Sequence, residues 1–119
     1  MELRPKPGVG KSTLGEQSLL KAASKRRLRA RAHGLKPVVM VGASGVTPAV
    51  AAAADLALDD HALIKVRVNA QDREQRRTFI DEICQKCRAD LVQTVGHVAV
   101  LFREPEDSKL RESFSEVLN

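Results

Sequence analysis

The segment from Pro37 to Pro48 constrains the fold most. Pro37 opens the apolar run Val38-Val39-Met40-Val41. The run is short and rich in β-branched residues, so it reads as a buried strand. Gly42-Ala43-Ser44-Gly45 breaks it, and Thr47 followed by Pro48 pairs an N-cap residue with proline at the first helical position. A strand that ends in a glycine loop and turns at once into a helix belongs to a β-α-β unit, whose crossover is right-handed. The helix runs to about Asp60, with Val50, Ala53, Ala54 and Ala57 on its packed side and Asp55 and Asp59 opposite.

The flanking patterns complete the unit. From about Gln17 to Gly34, Ser24, Leu28, Ala32 and Leu35 form one narrow stripe at helical spacing, and Gly34 sits where a helix would be capped. Leu63 to Val68 alternates, with Ile64, Val66 and Val68 facing one way and Lys65 and Arg67 the other, which predicts a strand with one buried and one solvated, basic face. A third helix spans roughly Gln71 to Ala89, turning Phe79, Ile80, Ile83 and Cys87 inward. Leu91–Val95 and Val98–Arg103 are strands joined by Gly96-His97, which suits a two-residue hairpin turn. The order is α-β-α-β-α-β-β. It predicts an α+β two-layer sandwich in which the helices cover one side of a four-stranded mixed sheet. At 119 residues the chain holds one domain, placed at 16–104. Residues 1–15 read as a flexible tail, and 105–119 as an acidic tail or a short helix.

Charge gives this domain a polarity. Seven basic residues (Lys21, Lys25, Arg26, Arg27, Arg29, Arg31 and Lys36) fall between positions 21 and 36 with no acid among them, while the remaining 13 basic residues face 15 acidic ones. One concentrated cationic segment on a near-neutral domain suggests a polyanion partner. With no Trp, no Tyr and three Phe, the chain lacks the aromatic platforms needed to stack successive bases. No apolar stretch is long enough to span a membrane, no secretory leader pattern opens the chain, and the two cysteines make no disulfide scaffold. The cytoplasm is the expected location.

Other constellations carry less. Gly8-Val9-Gly10-Lys11-Ser12-Thr13 resembles the end of a phosphate-binding loop, but Pro5 stands where the motif needs its first glycine and no strand precedes it. Cys84-Gln85-Lys86-Cys87 reads as mid-helix, with Cys87 a small core residue and Cys84 at its edge, and no second pair supplies further metal ligands. Asp59-Asp60-His61 lies at a helix end, where polar residues are expected anyway. No catalytic set, cofactor or metal site is read, and no enzyme activity is expected. The loop Gly42-Ala43-Ser44-Gly45 differs because it joins a strand end to a helix N-terminus. Its glycines permit close backbone approach, and free amides there favour an anion. A GxxG in that setting can clamp a nucleic-acid backbone.

The stretch from Ser24 to Thr47, reading SKRRLRARAHGLKPVVMVGASGVT, resembles the opening of the CRM domain (chloroplast RNA splicing and ribosome maturation), whose stand-alone bacterial form is the YhbY family. His61–Arg67, Asp72-Arg73 and Val92–Arg103 agree with it in the same order. The resemblance implies a fold like the C-terminal domain of bacterial translation initiation factor three. It implies RNA binding through a basic helix (Lys25, Arg26, Arg27, Arg29, Arg31, then Lys36) and the loop Gly42, Ala43, Ser44 and Gly45. It also implies association with precursors of the large ribosomal subunit. Many relatives carry Lys where this chain has Ala43, so the loop here relies on its amides and on Ser44. Lys65 and Arg67 on the open sheet face are expected to widen the footprint. The partner is expected to be RNA within pre-ribosomal particles, bound by a monomer. The contrasting readings are a basic adaptor docking on an acidic protein, or a nucleotide-dependent enzyme using Gly8–Thr13.

Overall fold

Thr47 shows how local signals set the frame. In the computed structural model, which describes residues 21–118, its side-chain oxygen accepts a hydrogen bond from the Val50 amide at 3.2 Å, and Pro48 is the first helical residue. The elements are α1 (Ala22–Ala32), β1 (Pro37–Val41), α2 (Pro48–His61), β2 (Leu63–Val68), α3 (Arg73–Cys87), β3 (Asp90–Val95), β4 (Val98–Phe102), α4 (Ser108–Ser113) and α5 (Ser115–Leu118). The strands form one mixed sheet in the order β1-β2-β4-β3, with β1 parallel to β2 and the other two pairings antiparallel. Asp72 caps α3 by accepting from the Gln75 amide at 2.8 Å. Gly96 takes the positive φ of 58° that the first position of the β3–β4 turn requires. The α+β class and the mixed four-stranded sheet agree with the sequence reading. The Gly8–Thr13 segment, the N-terminal tail and the residues before position 21 expected in the first helix lie outside the described residues.

The principal core lies between the sheet and α2 with α3. Val41, Ile64, Val66, Val68, Ala99 and Leu101 meet Ala54, Leu58, Ile80, Ile83, Cys84 and Cys87 there. The opposite face, expected to be open, is covered over part of its length. Leu28 and Ala32 of α1 pack on Leu63, Val92, Val100 and Phe102, and Phe114 and Val117 from the C-terminal segment close the same cluster. That segment is therefore helical and docked. Phe114 stands 5.4 Å from Phe102, centroid to centroid, and the Ser24 hydroxyl donates to the Val117 carbonyl at 3.0 Å. Burial of large apolar side chains on both faces drives this arrangement.

Several local expectations need correction. β1 is an edge strand with alternating burial, so Val38 (56% exposed) and Met40 (58%) face solvent instead of lying in a fully buried run. Leu35 is exposed because α1 ends at Ala32, before the stripe reaches it. On α2, Leu58 is buried beside Ala54, and Ala53 is exposed. The Cys pair falls in the last turn of α3, not mid-helix, and Cys84 is as buried as Cys87. Burial, with the Asp81 and Asp90 charges, pushes the Cys84 thiol up to about 12, so it stays protonated at neutral pH. Arg103 ties α2 to the end of α3, an arrangement with no sequence signature. Its guanidinium donates to Asp55 Oδ1 (2.6 Å), Asp59 Oδ1 (2.8 Å) and the Cys87 carbonyl (2.8 Å).

Candidate nucleic-acid interface

The cations of α1 divide by direction. Ser24, Leu28 and Ala32 turn inward, which places Arg27 and Arg31 beside the C-terminal helices and leaves Arg26 and Arg29 exposed to solvent. Arg27 donates to the Glu116 carbonyl at 2.9 Å. Arg31 donates to the Ser113 carbonyl, lies 3.4 Å from the Glu116 carboxylate, and stacks its guanidinium 3.8 Å from the Phe114 centroid. Two of the five helix cations singled out in the sequence are thus engaged by the chain's own C-terminal segment. Arg26, Arg29, Lys36 and the half-buried Lys25 make no ion pair with a described residue.

The glycine loop is a tight turn at the far end of β1. The Gly45 amide donates to the Gly42 carbonyl at 2.9 Å, and the Thr47 amide to the Gly45 carbonyl at 3.0 Å. The two glycines have different reasons to be there. Gly45 has φ of 78°, and a Cβ on it would stand 2.9 Å from the Phe79 ring of α3, so the fold itself requires glycine. Gly42 has no positive φ, and a Cβ there would meet nothing within 4 Å. Ala43 and Ser44 are exposed at the tip.

Helix and loop do not sit side by side. α1 packs on β2, β3, β4 and α5, on the sheet face opposite α2. β2 bridges the gap. A cleft of about 340 Å³ is lined by Arg29 of α1, His33 just after it, Lys65 of β2, and Val95, Val98 and Val100 of the hairpin. Two residues further along β2, Arg67 pairs in register with Met40, the last outward-facing side chain before the loop. Arg29, Lys65, Arg67 and the loop therefore follow one another over the open part of the sheet. The exposed apolar side chains Met40 and Val95 lie in the same row as Arg67 and Val98, and the sequence reading missed them. Edge position of β1 was the missing signal, since alternation in Val38–Val41 means a surface only if one face is bare. All three phenylalanines are used in packing: Phe79 against Gly45, Phe102 against Phe114.

Such a body, one mixed sheet with a cationic first helix and a GxxG turn at a strand end, defines a small binding module with no sequence-visible catalytic set. The family model for the CRS1 / YhbY (CRM) domain matches residues 20–103, and the chain belongs to that family. It is 42% identical over 92 residues to an RNA-binding protein of Haemophilus influenzae, covering 77% of this chain and 93% of that one. It is 41% identical over 86 residues to a protein of Pseudomonas aeruginosa named as a probable RNA-binding protein, covering 71% and 83%. The solution structure of a Staphylococcus aureus protein described as a candidate RNA binder superposes with a TM-score of 0.68 at 28% identity, covering 76% of this chain and 94% of that one.

Proposed function

We propose that this protein binds RNA without catalysing a reaction on it, and that its RNA is large-subunit ribosomal RNA or its precursor during assembly. The observation that carries the reading is the track from Arg29 through Lys65 and Arg67 to the GxxG loop. Cations along it neutralise phosphates, while loop amides and the α2 N-terminus hold the backbone close. Lys25, Arg26 and Lys36 extend the field at the α1 end. The relatives named as RNA-binding proteins support the polymer. The ribosomal target follows from the family resemblance. With every phenylalanine packed, recognition rests on phosphate geometry and shape, not on base stacking. The site needs no cofactor and no second subunit.

Crosslinking in cells, with sequencing of the bound RNA, tests this reading. A peak at one region of large-subunit RNA is expected; a flat profile over all transcripts would remove the assembly role. Nuclease treatment of an extract separates the contrasting reading, a basic adaptor whose helix docks on an acidic protein. An RNA binder leaves the ribosomal fractions after digestion, whereas an adaptor stays with its protein.

A further inference from the structure

The C-terminal end of β1, the C-terminal end of β2 and the hairpin turn form one continuous edge. The Asn69 amide donates to the Val41 carbonyl at 2.8 Å, and the Val68 amide to the His97 carbonyl at 2.6 Å. The GxxG loop stands at one end of this edge and His97 at the other, two strand spacings or about 10 Å apart. Behind His97 lies the start of α3, with Arg73, Arg76 and Arg77. A cleft of about 450 Å³ between α3 and the hairpin is lined by these three arginines, and Asp81 is the one carboxylate in its lining.

None of the three arginines forms an ion pair with a described residue. Arg76 Nη2 lies 3.4 Å from His97 Nδ1, a long contact, and Arg76 Nε is buried with no partner. Three guanidiniums that line one cleft without an ion pair give up no intramolecular carboxylate to an arriving phosphate. The same helix touches the loop: Phe79, one turn after Arg76, carries the ring that Gly45 packs against. We propose that the cleft of Arg73, Arg76 and Arg77 is a second phosphate-binding site. There it takes a phosphodiester of the same RNA after the strand has crossed the edge from the GxxG loop. This inference rests on the RNA-binding reading above, and it makes the footprint wrap from the α1 face over the edge to α3.

The test is RNA binding by the full chain over a series of potassium chloride concentrations. The probe is a labelled RNA hairpin with single-stranded arms. Arg73→Gln/Arg77→Gln changes two exposed side chains, and circular dichroism checks that the fold persists. The salt slope is expected to fall by about 0.7, for the one phosphate that is no longer neutralised. Arg73→Lys/Arg77→Lys, which keeps the charge, should restore most of it. A double Gln variant with the wild-type slope overturns the second site while leaving the α1 and loop reading intact, provided Arg26→Gln/Arg29→Gln lowers the slope. A wild-type chain with no salt-dependent binding overturns both.

Discussion

Arg27 and Arg31 leave α1 on one flank, Arg26 and Arg29 on the other, and their surroundings have nothing in common. The first pair meets carbonyls of Ser113 and Glu116, the Glu116 carboxylate and the face of Phe114. The second pair faces solvent, with Arg29 beside Lys65 at the mouth of a cleft. In sequence all four belong to one cationic run. In the fold, one pair holds the C-terminal helices and the other is available to a ligand. The glycine loop repeats the division, with Gly45 required by backbone and packing and Gly42 required by neither. Charge density alone therefore overstates a binding surface, because part of it has been neutralised internally.

The sharpest way to break this comparison is through Phe114, which is 3% exposed and closes the second core. Phe114→Ala should cost about 3–5 kcal/mol in denaturant unfolding, as ring removal from a core does. Its RNA salt slope should not fall; a fall would mean that the C-terminal flank belongs to the interface. Gly45→Ala should cost about 2 kcal/mol, from positive φ and the Phe79 contact, whereas Gly42→Ala should stay within about 0.5 kcal/mol of wild type. Weakened RNA binding by a fully stable Gly42→Ala would mark Gly42 as a contact. Equal stability losses at both glycines would erase the distinction drawn for the loop.

Arg31→Ala removes a cation–π contact, a hydrogen bond and the ion pair with Glu116, and a loss of about 1 kcal/mol is expected in thermal unfolding. Arg26→Gln/Arg29→Gln should leave stability as little changed as Gly42→Ala does, within about 0.5 kcal/mol of wild type. The same variant should lower the RNA salt slope by about 1.4. If Arg31→Ala lowered the slope as much while leaving stability unchanged, the assignment of the two flanks would be reversed.

Much of the architecture was legible because its signals are local. The Thr47-Pro48 start and the Gly96 turn act within three or four residues, and each is where the pattern puts it. The alternation of Leu63–Val68 likewise separates Ile64, Val66 and Val68 from Lys65 and Arg67. Less legible was what covers the second face. Leu63, Val100 and Phe102 carry that demand, but the residues that meet it, Leu28, Phe114 and Val117, lie far away in the chain. Arg103 was missed for the same reason, since its partners Asp55 and Asp59 look like an ordinary solvated helix face until β4 delivers a guanidinium to them.

By itself the sequence determined the order of elements, the mixed sheet and the placement of the glycine turn between strand and helix. Hydrogen-bonding caps, glycine geometry and hydrophobic period are properties of neighbouring residues. Only the tertiary structure decided which cations make no internal ion pair and that Lys65 and Arg67 lie between the loop and the helix. It also decided that one edge joins the loop to the arginines of α3. Those outcomes follow from which apolar faces bury one another, and burial is settled between distant segments, where pattern within a segment carries no information.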